Sequence, residues 1–353
     1  MTNYQPPPIA SVIKDGKSRP FWSVMIPAYR PDERFLRLAL ESVLQQDPGP
    51  EQMQIEVVDD CSPGMVVSAM VKTIAGNRVK VSQTLENLGL AGCWNSCIER
   101  ARGEWVHILH QDDLVFPGFY ESLQRGIAAN PQVGAAYCRH AYCDENGHWH
   151  RLSILEMPSP GVLPRFVGPI VSAERLQCAA IAVRRATYER LGGFNSALKH
   201  ALDWEMWIRI ANKFPIFYEP KILACWRNHS GATTSKQIRS GENIRDIAKA
   251  IAIWSSYLPE SEAQPLSAFA NNFFAHMGLG AANYLMAQND IEASLNQVKA
   301  ALVCKKSIRL RWGASKLYFK AFSKSVMKRI RPQRGAFLKE NQSTAHTSKS
   351  GGR

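Results

Sequence analysis

The sequence contains no run of roughly 18 consecutive apolar residues, which a helix would need to cross a bilayer. The closest approach, residues 269–287, is interrupted by Asn271, Asn272, His276 and Asn283. The first ten residues also lack the charged-then-apolar order of a secretory signal. These absences predict a cytoplasmic protein without a transmembrane helix.

Cysteine pairs and nucleotide-binding loops are absent as well. The eight cysteines include no CxxC pair and show no zinc-type spacing. Cys93 and Cys97 are four residues apart, on one face of a predicted helix, and we expect them to be core thiols. Reduced thiols again favour the cytoplasm. No GxGxxG motif follows the first predicted strand and no Walker loop occurs, which argues against a dinucleotide oxidoreductase or an NTPase.

Residues 305–334 contain no acidic residue and eleven basic residues. This segment accounts for most of the excess of basic over acidic residues, which gives the chain a net charge of +13. If residues 307–330 are helical, one side carries Ile308, Trp312, Phe319, Phe322, Val326 and Ile330, and an adjacent flank carries Lys316, Lys320, Lys324 and Lys328. This pattern predicts a helix lying in an anionic membrane surface. The alternative is that the apolar stripe packs on the helical residues 240–300. We expect no nucleic-acid partner, because no recognition motif accompanies the charge.

Apolar segments of strand and helix periodicity alternate between residues 20 and 115. Strands are predicted at 21–27, 53–58, 79–82 and 107–109, and helices at 33–46, 65–75 and 87–101. Such alternation predicts right-handed βαβ units and a parallel sheet. Beyond them, helices are predicted at 118–130, 185–191 and 203–213, a hairpin at 133–151, and helical structure over 240–300.

This pattern predicts a flexible N-terminus (1–20), an α/β domain (21–235), a helical C-terminal region (236–331) and a disordered tail (332–353). The α/β domain is divided into a nucleotide-binding half (21–115) and an acceptor or catalytic half (116–235).

The apolar run 106–109 ends in His110, Gln111, Asp112 and Asp113. Strands of a parallel sheet deliver their last residues to the crevice where ligands bind. Unpaired carboxylates are too costly to bury in a core. Asp112 and Asp113 are therefore solvated, paired or holding a cation.

Several motifs follow one another in an informative order. They are Ile26-Pro27-Ala28-Tyr29, Val57-Val58-Asp59-Asp60-Cys61-Ser62, Asn87-Leu88-Gly89 with Asn95, His110-Gln111-Asp112-Asp113 with Pro117, Gly192-Gly193-Phe194, Asp203-Trp204 with Trp207 and Arg209, and Trp226-Arg227-Asn228-His229. This set resembles a family 2 glycosyltransferase over residues 21–235. The resemblance implies the GT-A fold, a Rossmann-like mixed sheet flanked by helices, here with a C-terminal helical extension.

The resemblance also implies an inverting transfer from a nucleoside-diphosphate sugar with Mn²⁺ or Mg²⁺. It implies that Asp112 binds the metal and that His229 reaches the metal or diphosphate, unless His229 is a satisfied loop histidine. Asp203 would be the catalytic base, with a helix N-cap as the alternative role. The family's Glu-Asp pair is Leu202-Asp203 here, and His110 stands where an acid usually begins the metal motif.

The remaining expected contacts to the nucleotide sugar come from the same resemblance. They involve Pro27, Ala28, Tyr29, Asp59, Asn87, Gly89, Asn95, His110, Gln111, Asp113 and Arg227. Tyr29 would stack on the base, Asp59 would accept the uracil N–H, and Arg227 would bind phosphate. Asp113 would hold sugar hydroxyls or cap the next segment. His110 would touch ribose, bind metal as a softer ligand, or mark a weakened site.

These expectations combine into a peripheral enzyme at the inner face of the cell membrane. It would move a sugar from a UDP-sugar to a lipid-linked glycan acceptor in surface polysaccharide biosynthesis. The alternative from another class is a degenerate GT-A module that binds a nucleotide sugar or a partner without catalysis. His110 and Leu202 are the residues that favour this alternative.

Overall fold

The computed structural model describes residues 5–12, 18–173, 175–229, 231, 233–305, 307–308 and 310–323. These residues form two compact units, one from Met1–Ser235 and Asp246–Phe273, the other from Lys236–Arg245 and Phe274–Arg353. The first unit therefore includes residues 246–273, which the sequence assigned to the helical C-terminal region. The predicted disorder of 332–353 lies outside the described residues.

The first unit is built on a mixed sheet of ten strands within the described residues. The strands are β1 (Trp22–Ala28), β2 (Met53–Asp59), β3 (Lys80–Gln83), β4 (Trp105–Ile108), β5 (Leu114–Val115), β6 (Ala135–Cys143), β7 (Trp149–Leu152), β8 (Gly161–Val162), β9 (Ile181–Arg184) and β10 (Ile216–Arg227). Their order is β3-β2-β1-β4-β9-β6-β10-β5, with β7 beside β6 and β8 beside β10.

Four neighbouring strands at one end of the sheet, β3, β2, β1 and β4, are parallel, as the βαβ pattern predicts. β9 then runs antiparallel to both β4 and β6, while β6 and β10 are parallel. The sequence pattern did not indicate β5, β8, β9 or β10. β9 joins β4 to β6, so the two halves share one continuous sheet.

The described residues also form helices in both units. They are α1 (Glu33–Leu44), α2 (Val67–Ala75), α3 (Gly89–Arg100), α4 (Phe119–Ala129), α5 (Val167–Val171), α6 (Arg185–Leu191), α7 (Leu202–Ala211), α8 (Thr233–Ser240), α9 (Glu242–Ser255), α10 (Glu260–Ala287) and α11 (Ile291–Cys304). Helix α1 shows how capping and apolar spacing in the sequence determine a helix. Asp32 caps its start by accepting the Arg34 N–H, and Leu36, Leu40 and other apolar residues at helical spacing are buried.

The main core lies between the parallel strands and the helices α1, α2 and α4. Val24, Ile26 and Val57 of the central strands are fully buried, as is Leu36 of α1. Strands covered on both faces read as nearly continuous apolar runs, which is why the sequence revealed β1 and β2. This packing holds the carboxyl ends of β1, β2 and β4 close together at one edge.

Residues 5–12 pack on the first unit, in contrast to the flexible N-terminus expected from composition. Ile9 is 6% exposed. The carbonyl of Pro7 accepts the Gly193 N–H at 2.8 Å, and the Ala10 carbonyl accepts a hydrogen bond from Arg185 at 3.1 Å. One buried isoleucine and backbone hydrogen bonds hold a segment whose polar composition gave no helix or strand signal.

The second unit has its own small core. Ala282, Met286 and Val298 pack with Ala314, Leu317 and Ala321 of the helical residues 310–323. Gln297 donates to the Ile238 carbonyl and to the Asn243 side chain. Among the described residues, no helix is both long and apolar enough to cross a membrane.

Candidate active site

Three chemically active side chains, His110, Asp112 and Asp113, follow the carboxyl end of β4. Each offers one possible ligand atom, and these atoms lie within 4.8 Å of one another. β4 is fully buried and pairs with β1, so the chain leaves the sheet beside the end of β1. In open α/β sheets this edge is where ligands bind.

Asp113 is the buried member of this cluster, with 1% of its surface exposed. Its Oδ1 accepts the backbone N–H of Arg227 at 2.8 Å, and its Oδ2 lies 3.5 Å from His110 Nδ1. Burial raises the pKa of Asp113, with Asp112 adding to the shift and His110 opposing it. Asp113 therefore ties the loop after β4 to the end of β10.

His110 is held by an aromatic neighbour that the sequence did not single out. Its imidazole stacks on the indole of Trp94 in α3, with ring centroids 4.7 Å apart and planes 28° apart. Burial opposes protonation of His110, but the nearby charges of Asp113, Asp112 and Asp203 outweigh it and raise the pKa. His110 is therefore a fixed side chain surrounded by carboxylates.

The side chains of His229 and Asp112 are hydrogen-bonded to each other. Its Nε2 is 2.9 Å from Asp112 Oδ2, and its ring packs against Phe35 at a centroid distance of 4.9 Å. The hydrogen bond to Asp112 raises the pKa of His229. The structure thus brings the two predicted metal ligands, one after β4 and the other after β10, into contact.

The donor atoms of this cluster suit a divalent cation. Carboxylate oxygens are hard ligands for Mg²⁺ or Mn²⁺, and an imidazole nitrogen shifts the preference towards Mn²⁺. In the described part of the chain, His110 Nε2 is buried without a hydrogen-bond partner, and Asp113 Oδ2 has only the 3.5 Å contact with His110 Nδ1. Because such atoms are costly to leave unpaired, the residues present fit a bound cation.

Arg227 binds backbone groups of the protein, and its predicted phosphate contact stays a prediction. It is 3% exposed. Its Nε donates to the Asp112 carbonyl at 3.0 Å, and its Nη1 donates to the carbonyls of Asp144 and Glu145 at 3.2 and 3.4 Å. The guanidinium therefore supports the metal-motif loop against the β6–β7 turn.

Asp59 ends β2 and is 3% exposed. Its Oδ1 accepts the Ser62 N–H at 3.1 Å, and its Oδ2 accepts a hydrogen bond from Gln83 at 2.8 Å. These bonds fix the carboxylate, while each oxygen retains a second lone pair. The predicted contact with the base stays a prediction.

Asp60, which the sequence motif contained without a role, organises the start of α3. Its carboxylate accepts the N–H groups of Leu88 at 2.8 Å and Gly89 at 3.0 Å. Its carbonyl accepts a hydrogen bond from the Asn87 side chain at 3.1 Å. Gly89 has a φ of +70°, which favours glycine. The predicted ligand-binding residues Asn87 and Gly89 are thus held by Asp60.

Tyr29 and Gln111 join the ends of β1 and β4. Gln111 accepts the Tyr29 N–H at 2.8 Å and donates to the Tyr29 carbonyl at 3.3 Å. Pro27 and Ala28 are buried in β1, whereas Tyr29 is 42% exposed with the Arg30 guanidinium 5.3 Å from its ring centre. This arrangement leaves the Tyr29 ring accessible for the predicted stacking on a base.

Asn95 is half-buried and forms hydrogen bonds within the protein, and its predicted sugar contact stays a prediction. Its side chain accepts the Phe194 N–H at 2.7 Å and donates to the Phe194 carbonyl at 2.9 Å. A Cβ added at Gly193 would lie 2.3 Å from Asn95 Oδ1. The Gly-Gly-Phe turn therefore needs glycine at position 193, because a side chain there would displace Asn95, whose hydrogen bonds to Phe194 attach the turn to α3.

Asp203, the predicted base, lies in the first turn of α7 and is 8% exposed. Its Oδ1 accepts the Trp204 N–H at 2.8 Å. The N-cap of α7 is Ala201, so the alternative role as an N-cap is wrong. The charge of Asp203 contributes to the raised pKa of His110 in the cluster after β4.

The loop before α7 is held by two α9 residues that the sequence pattern did not reveal. Asp246 Oδ2 accepts the N–H groups of Lys199, His200 and Ala201 at 2.9, 2.7 and 3.0 Å. Lys249 donates to a carbonyl of the same loop, that of Ala197, at 2.6 Å. These contacts set the position from which α7 begins.

A buried ion pair holds the other side of α7. Glu205 is fully buried and accepts two hydrogen bonds from Arg209, each 2.9 Å long. Arg209 also donates to the carbonyls of residues 191–193. The i, i+4 spacing of an acid and an arginine was the only sequence signal of this link. It fixes the Gly-Gly-Phe turn to α7.

This architecture agrees with the comparison to known families. The family model described as Glycosyl transferase family 2 matches residues 23–192. Residues 23–192 belong to glycosyl transferase family 2. The segment runs from β1 to the end of α6 and contains the Asp59 and Asp112 motifs. The resemblance seen in the sequence is therefore confirmed.

The chain is also similar to curated proteins, one of them named a glycosyltransferase. The chain is 25% identical over 280 residues to an uncharacterized protein of Mycobacterium tuberculosis, covering 74% of the chain and 83% of that protein. It is 26% identical over 247 residues to an uncharacterized glycosyltransferase of Rickettsia felis, covering 68% of the chain and 38% of that protein. The chain thus spans well under half of the second relative.

Solved structures share the GT-A fold. Residues 1–349 of S. aureus TarS in complex with UDP-GlcNAc superpose with a TM-score of 0.60 at 18% identity, covering 87% of this chain and 92% of that one. The mannosyltransferase PcManGT from Pyrobaculum calidifontis, in complex with GDP-Man and Mn²⁺, gives a TM-score of 0.54 at 19% identity, covering 92% and 90%. The chain is a glycosyltransferase with a GT-A fold.

Proposed function

We propose that this glycosyltransferase is metal-dependent and inverting, and that it transfers a sugar from a UDP-sugar to a glycan acceptor. The observation that carries the proposal is the cluster around Asp112. It brings His110, Asp113 and His229 together, and the charge of a separate carboxylate, Asp203, acts on His110. A cation-type cluster and an independent base are the two components that an inverting transfer requires.

The donor side of the site supports a uridine nucleotide. Tyr29 presents an accessible ring, and the fixed carboxylate of Asp59 can accept the N–H of uracil. The TarS structures contain UDP-GlcNAc or UDP, whereas PcManGT contains GDP-Man. The preference for uracil rests on the family resemblance, which places the N–H of the base at the carboxylate of Asp59 at the end of β2.

Asp112 and His229 would hold Mn²⁺ or Mg²⁺, with His110 and Asp113 adjacent. When bound, the cation would stabilise the negative charge on the departing diphosphate. The neighbouring Arg227 maintains this loop through backbone contacts. Loss of an acid at position 110 is offset by an imidazole that Trp94 keeps in place.

Asp203 would take the proton from the acceptor hydroxyl while the diphosphate leaves from the opposite face of the sugar. The other departure from the family pair, Leu202, is fully buried. An acid at that position would enter the core at high cost. Leucine therefore suits the buried position 202, and the acid of the pair that the proposed mechanism uses, Asp203, is retained.

The Asp203→Asn variant tests the base. We expect it to bind the donor normally and to lose transfer by at least about a hundredfold, within the range for general-base catalysis. Glu121→Gln, an exposed carboxylate on α4 with 72% of its side chain accessible, is the matched control. Full transfer by Asp203→Asn would refute the assignment.

Titration with UDP, GDP and their sugars, first with Mn²⁺ and then with a chelator, tests the donor and the cation. Metal-dependent binding of UDP and one UDP-sugar is the expected result. Binding that ignores the metal would show that His110 has weakened the site. Absence of any nucleotide binding would favour a non-catalytic role.

We further propose a lipid-linked acceptor in the biosynthesis of a surface polysaccharide such as O-antigen, capsule or exopolysaccharide. The enzyme would work in the cytoplasm, peripheral to the inner face of the cell membrane. Eleven basic residues and no acid within 305–334 support this location. Deletion after residue 304 should release the protein from membranes, and unchanged membrane association would contradict the proposal.

A further inference from the structure

The helical residues 310–323 have one face inside the second unit. Leu310, Ala314, Leu317 and Ala321 are buried, with between 0% and 6% of their surface exposed. They recur at intervals of three and four residues, which places them on one side of a helix. This face, and not the apolar stripe predicted from the sequence, attaches the helix to the core of the unit.

The predicted stripe lies on the opposite side. Ile308 is 88% exposed, Trp312 65%, Phe319 72% and Phe322 67%. At 100° per residue these four side chains span an arc of about 80°, centred roughly opposite the buried face. The other predicted members, Val326 and Ile330, lie outside the described residues, as do Lys324 and Lys328. We refer to Ile308, Trp312, Phe319 and Phe322 as the aromatic face.

Cations flank the aromatic face. Arg311, Lys316 and Lys320 are exposed, and Lys316 Nζ lies 3.4 Å from the centre of the Trp312 ring. Residues 305–334 contain no acid to neutralise them. Tryptophan and phenylalanine between basic residues are typical of helices that lie in the plane of a lipid interface.

We propose that the aromatic face inserts into the headgroup region of an anionic bilayer while the flanking cations bind lipid phosphates. A second copy of the chain is a poorer occupant, because two identical basic faces repel each other. A negatively charged lipid surface covers the apolar side chains and neutralises the cations together. The inference refines the peripheral location proposed above and names the residues that make the contact.

Vesicle co-sedimentation of the full chain tests the proposal. We expect binding to vesicles containing phosphatidylglycerol, weak binding to phosphatidylcholine alone, and weakening by salt. Replacing Trp312 and Phe319 together by Ser should lower the partition coefficient at least about tenfold, because both apolar anchors are lost. Replacing Lys316 and Lys320 by Glu should lower it further, since each basic residue near the surface contributes about fivefold.

Matched controls come from the same unit. Tyr284→Ser removes an aromatic residue that is 66% exposed on α10, and Lys299→Glu reverses an exposed charge on α11. Both should bind vesicles like the unaltered chain. Three outcomes would overturn the proposal. The controls lose vesicle binding as strongly as the test variants, the unaltered chain does not bind vesicles, or only the charge variants lose vesicle binding.

A dimer that dissociates on Trp312→Ser replacement, without vesicle binding, would also overturn it and identify a second copy as the occupant. UDP binding is measured on the same proteins without vesicles. Intact UDP binding with lost vesicle binding would separate failure of this surface from failure of the proposed donor site.

Discussion

Asp246 offers a sharp test of how the fold positions the proposed base. One carboxylate oxygen accepts three consecutive backbone N–H groups, from residues 199–201, and Asp203 lies two residues further on. The residue is 7% exposed, so water does not replace these bonds easily. Replacing Asp246 by Ala removes all three bonds and leaves their donors without this acceptor.

The expected magnitude follows from the hydrogen bonds. A bond to a charged acceptor contributes about 1.5–3 kcal/mol, but three bonds sharing one oxygen contribute less than their sum. We therefore expect Asp246→Ala to lower the free energy of unfolding by about 3–4 kcal/mol. Asp246→Asn retains a neutral acceptor and should lose about half of that, because charge-assisted bonds are roughly twice as strong as neutral ones.

The catalytic effect distinguishes a positioning role from a purely structural one. A displacement of about 1 Å in the base can slow transfer by around a hundredfold. We expect kcat to fall in Asp246→Ala at temperatures where the variant remains folded, with the donor KM unchanged and partial recovery in Asp246→Asn. Urea unfolding and initial transfer rates are measured together, with Glu260→Ala, an exposed acid on α10, as the control. Lower stability with unchanged kcat would refute the positioning role.

Two further predictions concern the first unit. Burial lowers the pKa of His107 from 6.5 to about 3, so between these values only the unfolded chain binds the proton and stability is lost as pH falls. Between pH 7 and pH 5, the free energy of unfolding of His107→Gln should therefore fall by about 2 kcal/mol less than that of the unaltered chain. Urea unfolding at both pH values measures this difference, and an identical pH dependence of the two proteins would contradict the prediction. Gly193→Ala should destabilise by about 2 kcal/mol or more, because its Cβ would lie 2.3 Å from Asn95 Oδ1. The control is Gly280→Ala, at an exposed helical position with open space, which should stabilise slightly. Both glycine variants are compared by thermal unfolding, and equal effects would show that the clash is relieved.

The nucleotide-binding half could be predicted because its signals are local. The strands β1, β2 and β4 are buried along nearly their whole length and form mostly apolar runs, and the helices between them alternate apolar and polar residues within a few turns. The strand predicted at 107–109 is observed at 105–108, a small shift that still leaves Asp112 and Asp113 beyond its end. Local periodicity also indicated α7 and hence the place of Asp203 in its first turn.

The roles of individual polar residues were less predictable. Arg227 and Asn95 stand at motif positions that suggested ligand contacts. The Arg227 side chain instead binds backbone groups 82 to 115 residues away, and the Asn95 side chain binds one 99 residues away. The order of the strands in the sheet determines which distant backbone groups these side chains can reach. β9 and β10, which establish that order, carry no strong periodic signal of their own.

The sequence by itself determined the family, the GT-A fold and the residue types of the site, because ordered motifs and apolar periodicity are properties of neighbouring residues. Only the tertiary structure showed that His229 lies on Asp112, that Asp246 holds the loop before α7, and which face of residues 310–323 is exposed. Those features depend on which distant segments pack together, since burial and hydrogen-bond satisfaction are decided by the completed fold.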